Sequence, residues 1–172
     1  MMSNVLVAYA SKHGATEEIA QAIADELRSA GHSVDCVSAE RVSGLGAYDA
    51  AVIGSAVYMA RWRPEARRLL KRAAKELAGR PLWLFSSGPC GQAEPSWASP
   101  PGLERRARRL GAREHVVFGG RVPLEPANFV ERSIAKKSAP EHRDLRDWDK
   151  IRGWAATMAP ELSGSGDPVA TR

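Results

Sequence analysis

The chain has 172 residues, 44% of them hydrophobic, enough for one α/β domain with a real core and too few for two. A formal charge of +5 and a pI near 9.6 point to anionic partners of three kinds: nucleic acid, an anionic membrane surface or an acidic substrate. No apolar run approaches the roughly 20 residues of a membrane span, and the N-terminus lacks the basic, apolar and cleavage segments of a secretory leader. A cytoplasmic location is therefore expected.

Short apolar runs alternate with amphipathic stretches, the pattern of a parallel sheet covered by helices on both faces. Val5–Tyr9 reads as the first strand. Thr16–Ala30 follows as a helix with Ile19, Ala20, Ile23, Ala24 and Leu27 on one face, ended by Gly31. Ser33–Val37 is the second strand and Ala51–Gly54 the third, continuous and apolar as buried parallel strands are. Pro64–Leu77 makes the next helix, with Pro64 suited to its first turn. Leu82–Ser86 is the fourth strand, Ser87–Gly102 a long loop and Leu103–Leu110 a short basic helix. Val116–Gly120 is the fifth strand, and Asp147 caps a last helix from Trp148 to about Met158. One domain over residues 1–162 is expected, with 163–172 as a flexible tail.

Right-handed crossovers on both faces give a three-layer α/β sandwich with strand order 2-1-3-4-5. Ligands of such sheets bind beyond the carboxyl ends of the strands, near the switch point. The loops after strands one, three and four meet there: Ala10–Thr16, Ser55–Arg63 and Ser87–Gly91. The first of these joins a strand directly to a helix through small, polar and glycine residues. Its backbone N–H groups and the helix N-terminus suit a phosphate monoester, with Ser11 and Thr16 as hydroxyl donors and Gly14 allowing close approach. Thr16 also reads as a helix N-cap. The spacing fits neither a nucleoside-triphosphate loop nor a dinucleotide fingerprint.

Cys36 and Cys90 lack metal-ligand or redox-motif spacing, so two free thiols are expected, Cys36 as a small core residue. The histidines His13, His32, His115 and His142 form no ligand set, and no metal site is expected. Basic residues concentrate in Arg61–Arg80 and Arg105–Arg113. A solvated helix face and an anion-binding surface account for these clusters about equally well.

Val5–Ala24, reading VLVAYASKHGATEEIAQAIA, resembles the phosphate loop and first helix of flavodoxins. Ala51–Arg72, reading AVIGSAVYMARWRPEARRLLKR, resembles one subgroup, the menaquinone-dependent protoporphyrinogen IX dehydrogenases. FGGRV at Phe118–Val122 and DWDKIRGWA at Asp147–Ala155 resemble that subgroup's fifth strand and last helix. The likeness implies a flavodoxin-like fold holding FMN. Ser11, Lys12, His13, Gly14, Ala15 and Thr16 would bind its phosphate. Ser55, Ala56, Val57, Tyr58 and Met59 would flank the isoalloxazine, and Ser87, Gly88, Pro89, Cys90 and Gly91 would close over its other edge. Tyr58 or Trp62 is expected to stack on the flavin. The resemblance implies an FMN-dependent oxidoreductase working with a small-molecule reductant or a quinone-type acceptor. Peripheral contact with an anionic membrane surface is compatible with it. An electron carrier, or a cofactor-free binding protein on the same fold, is the alternative, and nucleic acid is the least favoured partner. The chain departs from the subgroup at Pro123–Arg146, which is polar where the subgroup is strongly apolar and keeps only Phe129, Val130 and Ile134 as an apolar patch.

Overall fold

The computed structural model describes residues 1–88 and 99–164. Five parallel strands form its sheet: β1 (Asn4–Ala10), β2 (Ser33–Ser38), β3 (Ala50–Tyr58), β5 (Leu82–Ser87) and β6 (Glu114–Phe118), in the order β2-β1-β3-β5-β6. A sixth, two-residue strand, β4 (Arg61–Trp62), pairs antiparallel with the end of β3. The expected order therefore holds, with β4 as an addition.

Alternate residues of each strand face opposite sides of the sheet. Val5, Val7, Val52, Trp83 and Phe85 pack under α1 (Ala15–Ser29) and α5 (Trp148–Gly164). Leu6, Ala8, Ala51, Ile53 and Leu84 pack under α2 (Pro64–Glu76) and α3 (Leu103–Arg109). Both faces are dry, so the strands are apolar throughout. Gly54 is required by this packing. A Cβ there would lie 2.0 Å from the Phe85 ring. Cys36 is half-buried and packs against the first core, and burial pushes its thiol up to about 11.

Two expectations are revised and one element is added. Gly14, not Thr16, is the N-cap of α1; it is left-handed, with φ 85°, and no side chain caps the helix. Thr16 lies within the first turn and is buried. The last helix does not stop near Met158 but runs through Pro160 to Gly164. Proline inside a helix removes one N–H and crowds the preceding turn, and this cost is offset at the end of the helix, where buried Leu162 and the Ser3 hydroxyl, which donates to the Leu162 carbonyl at 2.9 Å, anchor the final turn. Ser163 and Gly164, assigned to the tail, are thus helical. Finally, the polar segment after β6 carries a helix, α4 (Phe129–Lys137). Asn128 caps it, its side chain accepting from the Glu131 N–H at 2.9 Å. The cap at Asp147 is as expected, its carboxylate accepting from the Lys150 N–H at 3.0 Å.

No helix among the described residues is long and apolar enough to cross a membrane.

Candidate functional site

The carboxyl ends of β1, β3 and β5 open onto a cavity of about 680 Å³. From the first loop it takes Ser11, Lys12, His13, Ala15 and Thr16; from the end of β3, Ala56, Val57, Tyr58 and Met59; from β5, Ser87 and Gly88. The described parts of the three loops expected at the switch point line this cavity together. Gly14 lies behind this wall, on a smaller neighbouring cavity. Ser55 is fully buried and does not reach the cavity. Its hydroxyl donates to the Ala56 carbonyl at 2.9 Å and accepts from the Arg63 N–H at 3.0 Å, which pins both ends of the β3–β4 hairpin. Pro89, Cys90 and Gly91 lie outside the described residues.

The hairpin is a two-residue turn. Tyr58 pairs with Arg61, and Met59 and Ala60 between them have φ values of 49° and 57°. A primed turn of this kind demands left-handed residues at both positions, a role usually given to Asn and Gly. Holding Met59 and Ala60 there stores strain at the rim of the cavity. Tyr58 stands in the wall. Its hydroxyl accepts from Asn128 Nδ2 at 3.1 Å, and Lys12 Nζ lies 5.0 Å from its ring centroid.

Trp62 does not stack on a ligand in the main cavity. It is buried, its indole N–H donates to Ser86 Oγ at 2.8 Å, and it meets the His115 ring edge-on at 6.4 Å. Ser86 Oγ is also 2.9 Å from His115 Nε2, and His115 Nδ1 is 2.7 Å from Glu104 Oε1. Ser86–His115–Glu104 has the connectivity of a hydrolytic triad. Ser86, however, is fully buried, its hydroxyl receives the indole proton, and it does not line this cavity. The chain therefore anchors β4 to the sheet. The expectation that Trp62 stacks on the flavin is corrected: its ring is held in the core by this chain.

The feature that sequence reasoning missed is Glu131 of α4. It is 3% exposed and lines the cavity. Its Oε1 receives both Lys12 Nζ and His13 Nε2, the latter at 3.0 Å. Its Oε2 accepts from the Ala127 N–H at 2.7 Å. The Lys12 hydrogen bond is the main reason the carboxyl lies near pKa 2, with the His13 and Ala127 bonds also lowering it and burial opposing. The side chains of Lys12 and His13 are thus turned onto Glu131. The Asn128-x-x-Glu131 spacing was the available signal, since an amide three residues before a glutamate marks a helix start. Among the described residues no cluster of acidic, histidine or cysteine side chains is placed to hold a metal.

A parallel sheet of order β2-β1-β3-β5-β6 with helices on both faces and a cavity at its switch point defines a doubly wound α/β fold of flavodoxin-like topology. Residues 6–149 match the family model of the flavodoxin domain, and the chain belongs to that family. Among solved structures, the fold is similar to oxidised Flavodoxin 2 from Bacillus cereus, at 24% identity and TM-score 0.62, over 92% of this chain and 99% of that one. It is similar also to a flavodoxin from Streptococcus pneumoniae TIGR4, at 21% identity and TM-score 0.62, over 93% and 97%. A flavodoxin from the domain Archaea aligns at 15% identity and TM-score 0.64, over 93% and 99%. No curated protein matches the sequence.

Proposed function

We propose that this chain binds FMN and serves as an oxidoreductase of the quinone-linked, protoporphyrinogen-dehydrogenase type. The observation that carries the reading is the single cavity shared by the first loop, the β3–β4 hairpin and the end of β5. The residues suit the cofactor. The α1 N-terminus is left without a side-chain cap by Gly14, whose missing Cβ faces open space. The first-turn amides and the Ser11 and Thr16 hydroxyls are therefore available to a phosphate. Bound there, FMN would supply hydride and electron transfer. The chain's own part is to hold the phosphate at α1, to flank the ring with Tyr58 and the backbone of Ala56–Met59, and to limit water through α4.

The acceptor side of the proposal rests on the rim. Met59, Leu124, Phe129, Val130 and Ile134 are all exposed, and Met59, Val130 and Ile134 also line the cavity. An apolar rim at a flavin site suits a hydrophobic, quinone-like acceptor. The basic last turn of α4, Lys136 and Lys137, would favour an anionic membrane surface beside it.

The test has two stages. Apo protein is titrated with FMN by flavin fluorescence, and absence of binding at micromolar concentration refutes the proposal. Bound protein is then supplied with protoporphyrinogen and a quinone. Turnover supports the enzyme; FMN binding without turnover leaves a flavodoxin-type electron carrier.

A further inference from the structure

Among the described residues that line the cavity, Glu131 is the only carboxylate. It arrives from α4, 119 positions from Lys12 in the sequence, and is placed against the loop that receives the phosphate. Each of its oxygens is committed, Oε1 to Lys12 and His13 and Oε2 to the Ala127 amide. Asn128 caps the helix that presents it and ties the same helix to Tyr58. A phosphate drawing Lys12 to itself would strip a buried carboxylate of its counter-ion, which is costly in a site of low polarisability. A phosphate leaving the pair intact meets a fixed negative charge at short range.

We propose that Glu131 sets the charge of the anion site and thereby its selectivity. It holds the loop near neutrality, so a phosphomonoester is held by the α1 amides and the Ser11 and Thr16 hydroxyls rather than by Lys12 and His13. The inference rests on the flavin reading above and adds the residue that tunes it.

The experiment compares FMN with riboflavin, which differs only by the phosphate. Dissociation constants for both are measured by fluorescence quenching for the wild type, Glu131→Gln and Asn128→Ala. Glu131→Gln removes the charge and keeps the shape, freeing Lys12 for the phosphate. The ratio of riboflavin to FMN dissociation constants is expected to rise about tenfold or more. Asn128→Ala loosens α4 without changing charge and is expected to shift both ligands in the same proportion. An unchanged or lower ratio in Glu131→Gln overturns the inference, as does an equal rise in Asn128→Ala. Glu131→Met, also uncharged and of similar length, replaces Glu131→Gln where the latter does not fold cooperatively.

A second arm reads the loop without flavin. Inorganic phosphate is added in thermal melts, and its stabilising shift is expected to be larger in Glu131→Gln than in the wild type. If no variant binds either flavin but the phosphate shift still grows, the flavin reading falls and the charge inference stands. If the phosphate shift is also unchanged, both fall.

Discussion

Replacing Glu131 with glutamine tests the same contact through stability. The folded carboxyl lies at about 2 against an ordinary 4.5, chiefly through its hydrogen bond to Lys12. At about 1.4 kcal/mol per pH unit, that depression is worth about 3 kcal/mol. Lys12 is a third exposed, so solvent screens part of its attraction and about 2 kcal/mol is the working figure. Because the folded pKa is depressed, this stability is fully present above about pH 4.5 and is lost as the pH falls through about 2. Urea unfolding of the wild type and Glu131→Gln is compared from about pH 6 down to about pH 2. The variant is expected to be about 2 kcal/mol less stable at the upper end, with the gap closing as the wild-type carboxyl protonates. Other acids titrate over the same range in both proteins and cancel in the difference. A gap that stays constant with pH refutes the charge pairing, and no gap at any pH refutes the burial.

Gly54→Ala is expected to cost about 3 kcal/mol, seen as a Tm drop of roughly 6–12 °C, because its Cβ would lie 2.0 Å from the Phe85 ring. Adding Phe85→Leu should recover part of that loss, and no recovery would point to strand geometry instead. Ser86→Ala leaves the Trp62 indole N–H and His115 Nε2 without their shared hydroxyl. Urea unfolding should show a loss of about 1–3 kcal/mol, whereas a neutral result would remove the anchoring role given to the chain. Arg146→Met cuts the bridge from Asp144 to Glu18 on α1. Its guanidinium is buried while both carboxylates are half-exposed, so a loss of about 1–2 kcal/mol is expected, smaller in high salt.

The layered part of the fold was legible because its physics is local. Val5–Tyr9, Ala51–Gly54 and Leu82–Ser86 are continuous apolar runs, which buried parallel strands require. The helices between them repeat apolar residues at helical spacing, as Ile19, Ala20, Ile23, Ala24 and Leu27 do. The strand-to-helix loop at Ser11–Thr16 was equally plain. The β3–β4 hairpin was not, because its turn uses Met59 and Ala60 where sequence signals look for Asn and Gly. Trp62 was placed in the wrong environment for the same reason. Without the hairpin, nothing carries it back to Ser86. The α4 helix escaped because its few apolar residues, Phe129, Val130 and Ile134, are exposed and only Glu131 is buried, so no core-facing stripe marks it.

The basic clusters illustrate a different limit. Arg72 and Arg80 looked like part of one cationic surface, yet they are spent on carbonyls. Arg72 donates to the Val42 and Ser43 carbonyls at 2.8 and 2.7 Å, and Arg80 to those of Gly46 and Tyr48 at 3.0 and 2.7 Å. Charge counted along a chain says nothing of how much of it is turned inward to satisfy a loop.

These limits coincide at the cavity. One wall comes from the carboxyl ends of the strands, where fold and sequence agree closely. The other wall comes from the β3–β4 turn and from α4, which meet each other and the first loop through side-chain contacts: Asn128 to Tyr58, and Glu131 to Lys12 and His13. In the proposed reading a flavin's phosphate would meet the first wall, and its reacting ring and acceptor would meet the second. Chemistry on this scaffold can therefore change by substitutions at Met59, Phe129, Val130 and Ile134 while the sheet and the phosphate loop stay as they are. Glu131 is the exception, since it stands in the second wall and contacts Lys12 and His13 of the first.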